Sequence, residues 1–344
     1  MKLVQPILVV LFMNSGIWCQ DQEYLTRLEY FYGCPKECQC PGRSSNALHC
    51  DSRHLSVMPL VPSRILYAYL QNNLIDGISE KSFKNGTQLK WVNLNKNKIT
   101  NSNISKGLFK KMENLLYLFL DDNSLEKVPS PLPTSLEQLR LARNKISSIP
   151  EGTFSNLAKL TLLDLQGNML KDFVIQPNTF KGLKTLLQLN LAQNGLKAMP
   201  EQIPVSTLQL YLDKNSIKEI PTNYFSSLPK LSFVRLNHNE ISSTGLPDTI
   251  FNVSSILDLQ LSYNQLTSVP LIHFRLQHLH LDHNQIKKIN GPQICPLPVS
   301  NIYQRPIGEN QPQLRYLRLD GNEIKPPIPI ELMMCFRLLS AIVI

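Results

Sequence analysis

After its first nineteen residues the chain has no apolar run long enough to cross a bilayer; even the closing AIVI is only the length of a strand. A membrane-spanning helix needs about 20 apolar residues, so none is expected. A lysine-arginine run is also missing. The net charge of +9 is spread along the chain rather than gathered into a tail. That argues against nucleic acid and for a solvated surface with polyanionic glycans as compatible company. No Ser/His/Asp set stands out, and nothing around Cys295 suggests a thiolate, so neither an enzyme nor a cofactor is expected.

What the chain has in abundance is one pattern. Leu136 to Ile146 reads LEQLRLARNKI, with the skeleton L-x-x-L-x-L-x-x-N-x-[LI]. Aligned on the asparagine, it recurs at Asn73, Asn97, Asn123, Asn144, Asn168, Asn194, Asn215, Asn239, Asn264, Asn284 and Asn322. Eleven copies at this spacing resemble leucine-rich repeats. In x-L-x-L-x the leucines face inward and their neighbours outward, because a strand alternates sides. A single such strand cannot bury its face, but stacked copies make a parallel sheet with a continuous core. Each asparagine stands where the chain leaves the strand, with donors and acceptors for its own turn and the next. The expected fold is an α/β-type solenoid: a curved parallel sheet on the concave face, irregular, 3-10 and polyproline segments on the convex side, and disulfide-capped ends.

A second order lies over the first. The intervals between asparagines are 24, 26, 21, 24, 26, 21, 24, 25, 20 and 38 residues, so two long repeats alternate with a short one. Phe83, Phe109, Phe154, Phe180, Phe225 and Phe251 keep the same beat in the long repeats. Pro62, Pro133 and Pro204 precede the short ones. The phenylalanines read as a buried spine behind the sheet, and the prolines as fixed points of its convex turns. The last interval, an extended penultimate repeat over about 285–322, holds Cys295 and a proline- and asparagine-rich segment from Pro296 to Pro312. Cys295 is expected to pair with Cys335, closing a loop worth on the order of 4 kcal/mol. The tail FRLLSAIVI reads as a truncated twelfth strand.

The seven cysteines bear on compartment. Residues 1–19 read as a secretory signal, with Lys2, an apolar core from Ile7 to Phe12, and small residues Ser15 and Gly16. Cleavage after Cys19 leaves six cysteines, an even number suited to disulfides outside the cell. Residues 20–33 form a short tail in which Tyr24, Tyr30 and Tyr32 stand near Asp21, Glu23 and Glu29, a setting for tyrosine sulfation. Residues 34–52 form a cap with Cys34, Cys38, Cys40 and Cys50 spaced C-x3-C-x-C-x9-C. In a secreted chain this is a disulfide knot over the first strand's open edge, with three pairings allowed. The solenoid then runs from 53 to 344.

Together, the cysteine spacing, the long-long-short beat and the extended penultimate repeat resemble the small leucine-rich proteoglycans. The x9 spacing is similar to that of the fibromodulin, lumican and keratocan class, as are SLEQLRLARNKI, LQHLHLDHNQIK and LRYLRLDGNEIKPPIP. The resemblance implies a secreted extracellular-matrix core that binds fibrillar collagen and regulates fibril diameter and spacing, as in the cornea. It also implies pairs Cys34–Cys40, Cys38–Cys50 and Cys295–Cys335, and keratan sulfate built on N-linked glycans. The sequons are Asn85, Asn103 and Asn252; the family's site within S-N-L-x-x-L-T is broken, since Asn156 is followed by Leu157 and Ala158. Family collagen-binding positions carry over onto Glu323 and Lys325, within LRLDGNEIK, and onto Asp213. The class also admits homodimers through concave faces.

On that face Tyr67, Tyr69, Trp91, Tyr117 and Phe119 cluster early; Arg140, Arg235 and Arg318 recur later, with Asp164, Asp213, Asp282 and Asp320 between them. Such a surface also suits a soluble protein ligand such as a growth factor or an innate-immune ligand, the rival reading. His278, His280 and His283, with Asp258 on the neighbouring strand, are the only cluster suggestive of metal; they read as plain surface, and no metal site is expected.

Overall fold

The computed structural model describes residues 33–41, 46–83, 86–290, 294–295, 311–325 and 327–344. The expected signal, the tail up to residue 32, the Asn85 sequon and residues 296–310 of the extended repeat lie outside them.

Among the described residues thirteen strands of three residues each follow in chain order: β1 (Ala47–His49), β2 (Tyr67–Tyr69), β3 (Trp91–Asn93), β4 (Tyr117–Phe119), β5 (Gln138–Arg140), β6 (Leu162–Asp164), β7 (Gln188–Asn190), β8 (Gln209–Tyr211), β9 (Phe233–Arg235), β10 (Asp258–Gln260), β11 (His278–His280), β12 (Tyr316–Arg318) and β13 (Ala341–Val343). They form one parallel sheet in sequential order. Strands β2 to β12 belong to the eleven repeats, and β13 to the closing tail. The register superposes the repeats: Leu139 lies opposite Leu118 on one side and Leu163 on the other, all three fully buried. The flanking strand positions face out in two columns. Strand β1 lies inside the cysteine-rich cap, where the cysteine spacing alone signals no strand. It pairs with β2, and Gln39 adds an antiparallel bridge to His49.

The asparagines hold the repeats together. Asn144 accepts through Oδ1 from the Leu125 amide at 3.0 Å, one repeat back. Its Nδ2 donates to the Leu120 carbonyl at 2.9 Å and to Leu141 in its own turn at 3.1 Å. Asn123, Asn168, Asn239, Asn264 and Asn284 repeat the same three contacts. Backbone groups buried at the strand exits thus find partners that the sheet itself does not supply.

The residue before each ladder asparagine takes the left-handed conformation. Lys96, Asp122, Arg143, Gln193, Lys214, His238, Tyr263 and His283 have φ between +52° and +56°, and Gly167 and Gly321 fill two equivalent places. Non-glycine residues accept this only where the surroundings dictate it. The turn must bring the amide into the ladder, so tertiary contacts override local preference.

A second ladder runs beside the first. Asn95 Oδ1 accepts from the Asp121 amide, Asp121 Oδ1 from Ala142, Asp213 Oδ1 from Asn237, and Asn237 Oδ1 from Ser262, at 2.7–3.0 Å. Burial in this row raises the Asp121 carboxyl to about 6, against the helping amide of Ala142.

On the convex side the six phenylalanines are buried, and their rings meet within the long-repeat pairs Phe154–Phe180 and Phe225–Phe251 at 6.1 and 5.7 Å. The three prolines act alike: the carbonyls of Pro62, Pro133 and Pro204 each accept from the amide three residues on, closing the turn that leads into a short repeat. Gly182 passes so close to Phe154 and Ser155 that a Cβ would lie 2.1 Å from the Phe154 carbonyl oxygen. Disulfides join Cys34 to Cys40, Cys38 to Cys50 and Cys295 to Cys335. The last reaches helix α1 (Ile330–Cys335), which precedes β13.

Two outcomes follow. Asn144→Ala strands the buried Leu125 amide and removes one of the two donors to each of the Leu120 and Leu141 carbonyls, and should lower the unfolding free energy by about 1–3 kcal/mol in urea titration; Arg143→Ala, whose pair with Asp122 is exposed, should cost under about 1 kcal/mol. The second outcome concerns pH. The folded state holds the Asp121 proton more tightly than the unfolded chain, so this group's contribution is most favourable below pH 4 and is lost as pH rises through about 6. Unfolding titrations across pH 4–7 should show a loss about 2–3 kcal/mol larger in the wild type than in Asp121→Asn.

Candidate functional site: the concave face

The outward columns give the concave face a different chemistry at each end. Near the N-terminal end Trp91 packs on Tyr117 at 5.0 Å and edge-on to Phe119 at 4.6 Å. Arg140 lies over the Phe119 ring at 5.2 Å, and Tyr117 donates to Glu137 at 3.1 Å. Tyr67 stands exposed beside Trp91 in register, and Tyr69 stacks on His49 of the cap. The result is a rigid aromatic block across β2 to β4. Aromatic groups of this kind, already ordered, contribute area to a protein interface at little entropic cost.

Toward the C-terminal end the face is charged. Arg235 pairs with Asp213 at 3.1 Å and lies over Tyr211 at 5.3 Å. Arg318 reaches Asp320 at 2.7 Å. Asp213, Arg235, Gln260, His280, Asp282 and Arg318 share a shallow cavity of about 380 Å³ with their neighbours. Burial pushes the Asp213 carboxyl up while Arg235 pulls it down, and burial likewise raises Asp164. Asp213 is only 13% exposed and is committed to Arg235 and the second ladder. It presents the arginine to a partner more than it presents itself.

The other positions singled out in the sequence fall elsewhere. Glu323 and Lys325 lie past the last ladder asparagine, off the strand columns and exposed, with Glu323 3.7 Å from Lys287. They and Asp213 are not brought together. Asn103 and Asn252 are exposed, as a glycan acceptor requires. The three histidines separate: His278 pairs with Asp258 at 3.3 Å, His280 packs on Tyr316 at 5.1 Å, and burial lowers the His280 imidazole's pKa. His283 sits on the left-handed ridge, stacked on Tyr263 at 4.1 Å, with His238 on the opposite side of that ring at 4.1 Å. The sequence reading missed this stack. Its signal was there: all three immediately precede a ladder asparagine.

Known proteins share these features. A model for leucine rich repeats matches residues 69–125 and 133–170. Keratocan of Gallus gallus is 57% identical over 99% of both chains, and keratocan of Homo sapiens 57% over 98% of both. Prolargin of Mus musculus is 51% identical over 91% of this chain and 83% of its own. Among solved structures, a chain of the octameric complex of Latrophilin 3, Unc5D and FLRT2 matches with a TM-score of 0.68 at 22% identity, covering 90% of this chain and 83% of that one. The Leptospira interrogans leucine-rich-repeat protein LIC12759 matches at 0.63 and 23%, over 81% and 72%. These last two bear on the fold alone. No described helix is long and apolar enough to cross a membrane. With near-full-length identity to keratocan, and prolargin beside it, the chain belongs to the small leucine-rich proteoglycans, secreted proteins of the extracellular matrix.

Proposed function

We propose that this protein is a keratan sulfate proteoglycan core that binds fibrillar collagen and limits the lateral growth of fibrils. The observation that carries the reading is the exposed pair Glu323 and Lys325 at the C-terminal flank of a rigid sheet, at positions equivalent to the family's collagen contacts. Eleven repeat strands about 4.8 Å apart give a face roughly 50 Å long, enough to lie along a rod. Asp213 acts in this scheme by orienting Arg235. Glycan chains on Asn85, Asn103 and Asn252 add bulk and charge, the last two from exposed positions outside the strands, holding neighbouring fibrils apart. The chain uses no catalytic chemistry in this role. Residues 1–19 are removed as a signal, residues 34–52 cap the first repeat strand, β2, and two copies can associate through their concave faces.

The test is collagen fibrillogenesis followed by turbidity and electron microscopy, with secreted protein before and after enzymatic removal of glycans. Both forms should co-sediment with collagen and yield thinner fibrils, and Glu323→Ala combined with Lys325→Ala should weaken co-sedimentation at least about threefold. If neither form binds or alters fibrils, the collagen reading fails and a soluble protein ligand on the concave face takes its place.

A further inference from the structure

Where the histidines of β11 separate, another group converges. Single ligand atoms from Asp282, His283 and Asp320 all lie within 4.8 Å of one another. We infer that these three residues form a zinc site pinning the turn after β11 to the turn after β12.

The geometry is close to what zinc requires. With bonds of about 2.0–2.2 Å, neighbouring ligands of a tetrahedral zinc ion stand about 3.3 Å apart. His283 Nδ1 and Asp282 Oδ2 are already 3.2 Å apart. Asp282 is 2% exposed in its side chain, and its other oxygen, Oδ1, accepts from the Ser262 hydroxyl, which leaves Oδ2 toward the imidazole. On the far side of the ring, Nε2 is 3.4 Å from the Tyr263 hydroxyl, and the ring lies flat on Tyr263. With the proton on Nε2, Nδ1 is left with its lone pair toward the carboxylates, as a metal-binding histidine requires. Gly321 completes the cradle: a Cβ there would come within 2.8 Å of the His283 ring. Asp320, 27% exposed in its side chain and held through both oxygens by Arg318 at 2.7 and 3.2 Å, needs up to about 1.5 Å of movement to close the third edge. A water takes the fourth position.

One imidazole and two carboxylates favour zinc over calcium, which takes six to eight oxygens. Without metal, the same 3.2 Å serves an Nδ1–H donated to Asp282. Zinc then displaces a tautomer, the proton moving from Nδ1 to Nε2. Arg318 opposes the ion, since its guanidinium holds Asp320 at 2.7 Å and stands 3.8 Å from Asp282. Affinity is therefore moderated by a residue whose removal should increase it.

Calorimetric titration of the full secreted chain, stripped with chelator and dialysed, with zinc chloride and in parallel with calcium chloride, tests this. One saturable zinc equivalent is expected, with no comparable calcium event. His283→Ala and Asp320→Asn should each weaken zinc at least about tenfold. Arg318→Gln should tighten it, and His278→Ala should leave it unchanged. Histidine nitrogen shifts of the wild type, read by NMR with and without zinc, give a measure independent of any variant's folding: His283 should become the Nε2–H tautomer. No saturable zinc binding into the millimolar range, affinity unchanged in both ligand variants, or no zinc-dependent shift at His283 would overturn the site.

Discussion

The molecule depends on one side-chain amide repeated along its length. A three-residue strand satisfies few backbone groups, and the chain must turn away from it with carbonyls and amides buried. The ladder asparagine supplies an acceptor to the turn one repeat back and donors to the strand exits of both repeats, as at Asn144. No apolar residue of the same size could do this, and a charged one would need a counterion in the core. Register, spacing and the left-handed turn before the asparagine all follow from placing that amide correctly. The leucines provide the burial, and the asparagines decide which arrangement of leucines is allowed.

With the interior fixed this way, the two strand columns and the ridge beside them are free to carry chemistry. The aromatic block around Trp91 and the charged cluster around Arg235 and Arg318 occupy equivalent places in different repeats. They differ only in which residues were written there. In the second ladder the freedom is partial: Asp213 must still accept from Asn237, so its charge is shared between holding the fold and facing a partner.

The architecture was legible from the period of the asparagines, since a solenoid's neighbours are set by sequence spacing. The six buried phenylalanines and three turn-closing prolines were legible for the same reason. What could not be read was anything that depends on side chains meeting across repeats. The strand in the N-terminal cap has no leucine motif to mark it. The His238–Tyr263–His283 stack forms between residues about a repeat apart, on turns whose left-handed geometry no local preference would suggest for tyrosine or histidine. The H-x-H pair drew notice, though it read as plain surface, because its members are close in sequence. Yet His283 meets Asp320, 37 residues on, only because the extended interval returns the chain to the next place in the stack.

The disulfides have a meaning under load. A stack of short parallel strands resists tension poorly from its ends, because each ladder can peel in turn. The Cys38–Cys50 bond bypasses β1, and Cys295–Cys335 bypasses β12. A pull from the C-terminal side strips β13 and then enters the covalent bridge, leaving β12 outside the path of force; at the other end β1 is spared in the same way. The bridged layers β1 and β12 thus act as slack clamps on either side of the repeats between them.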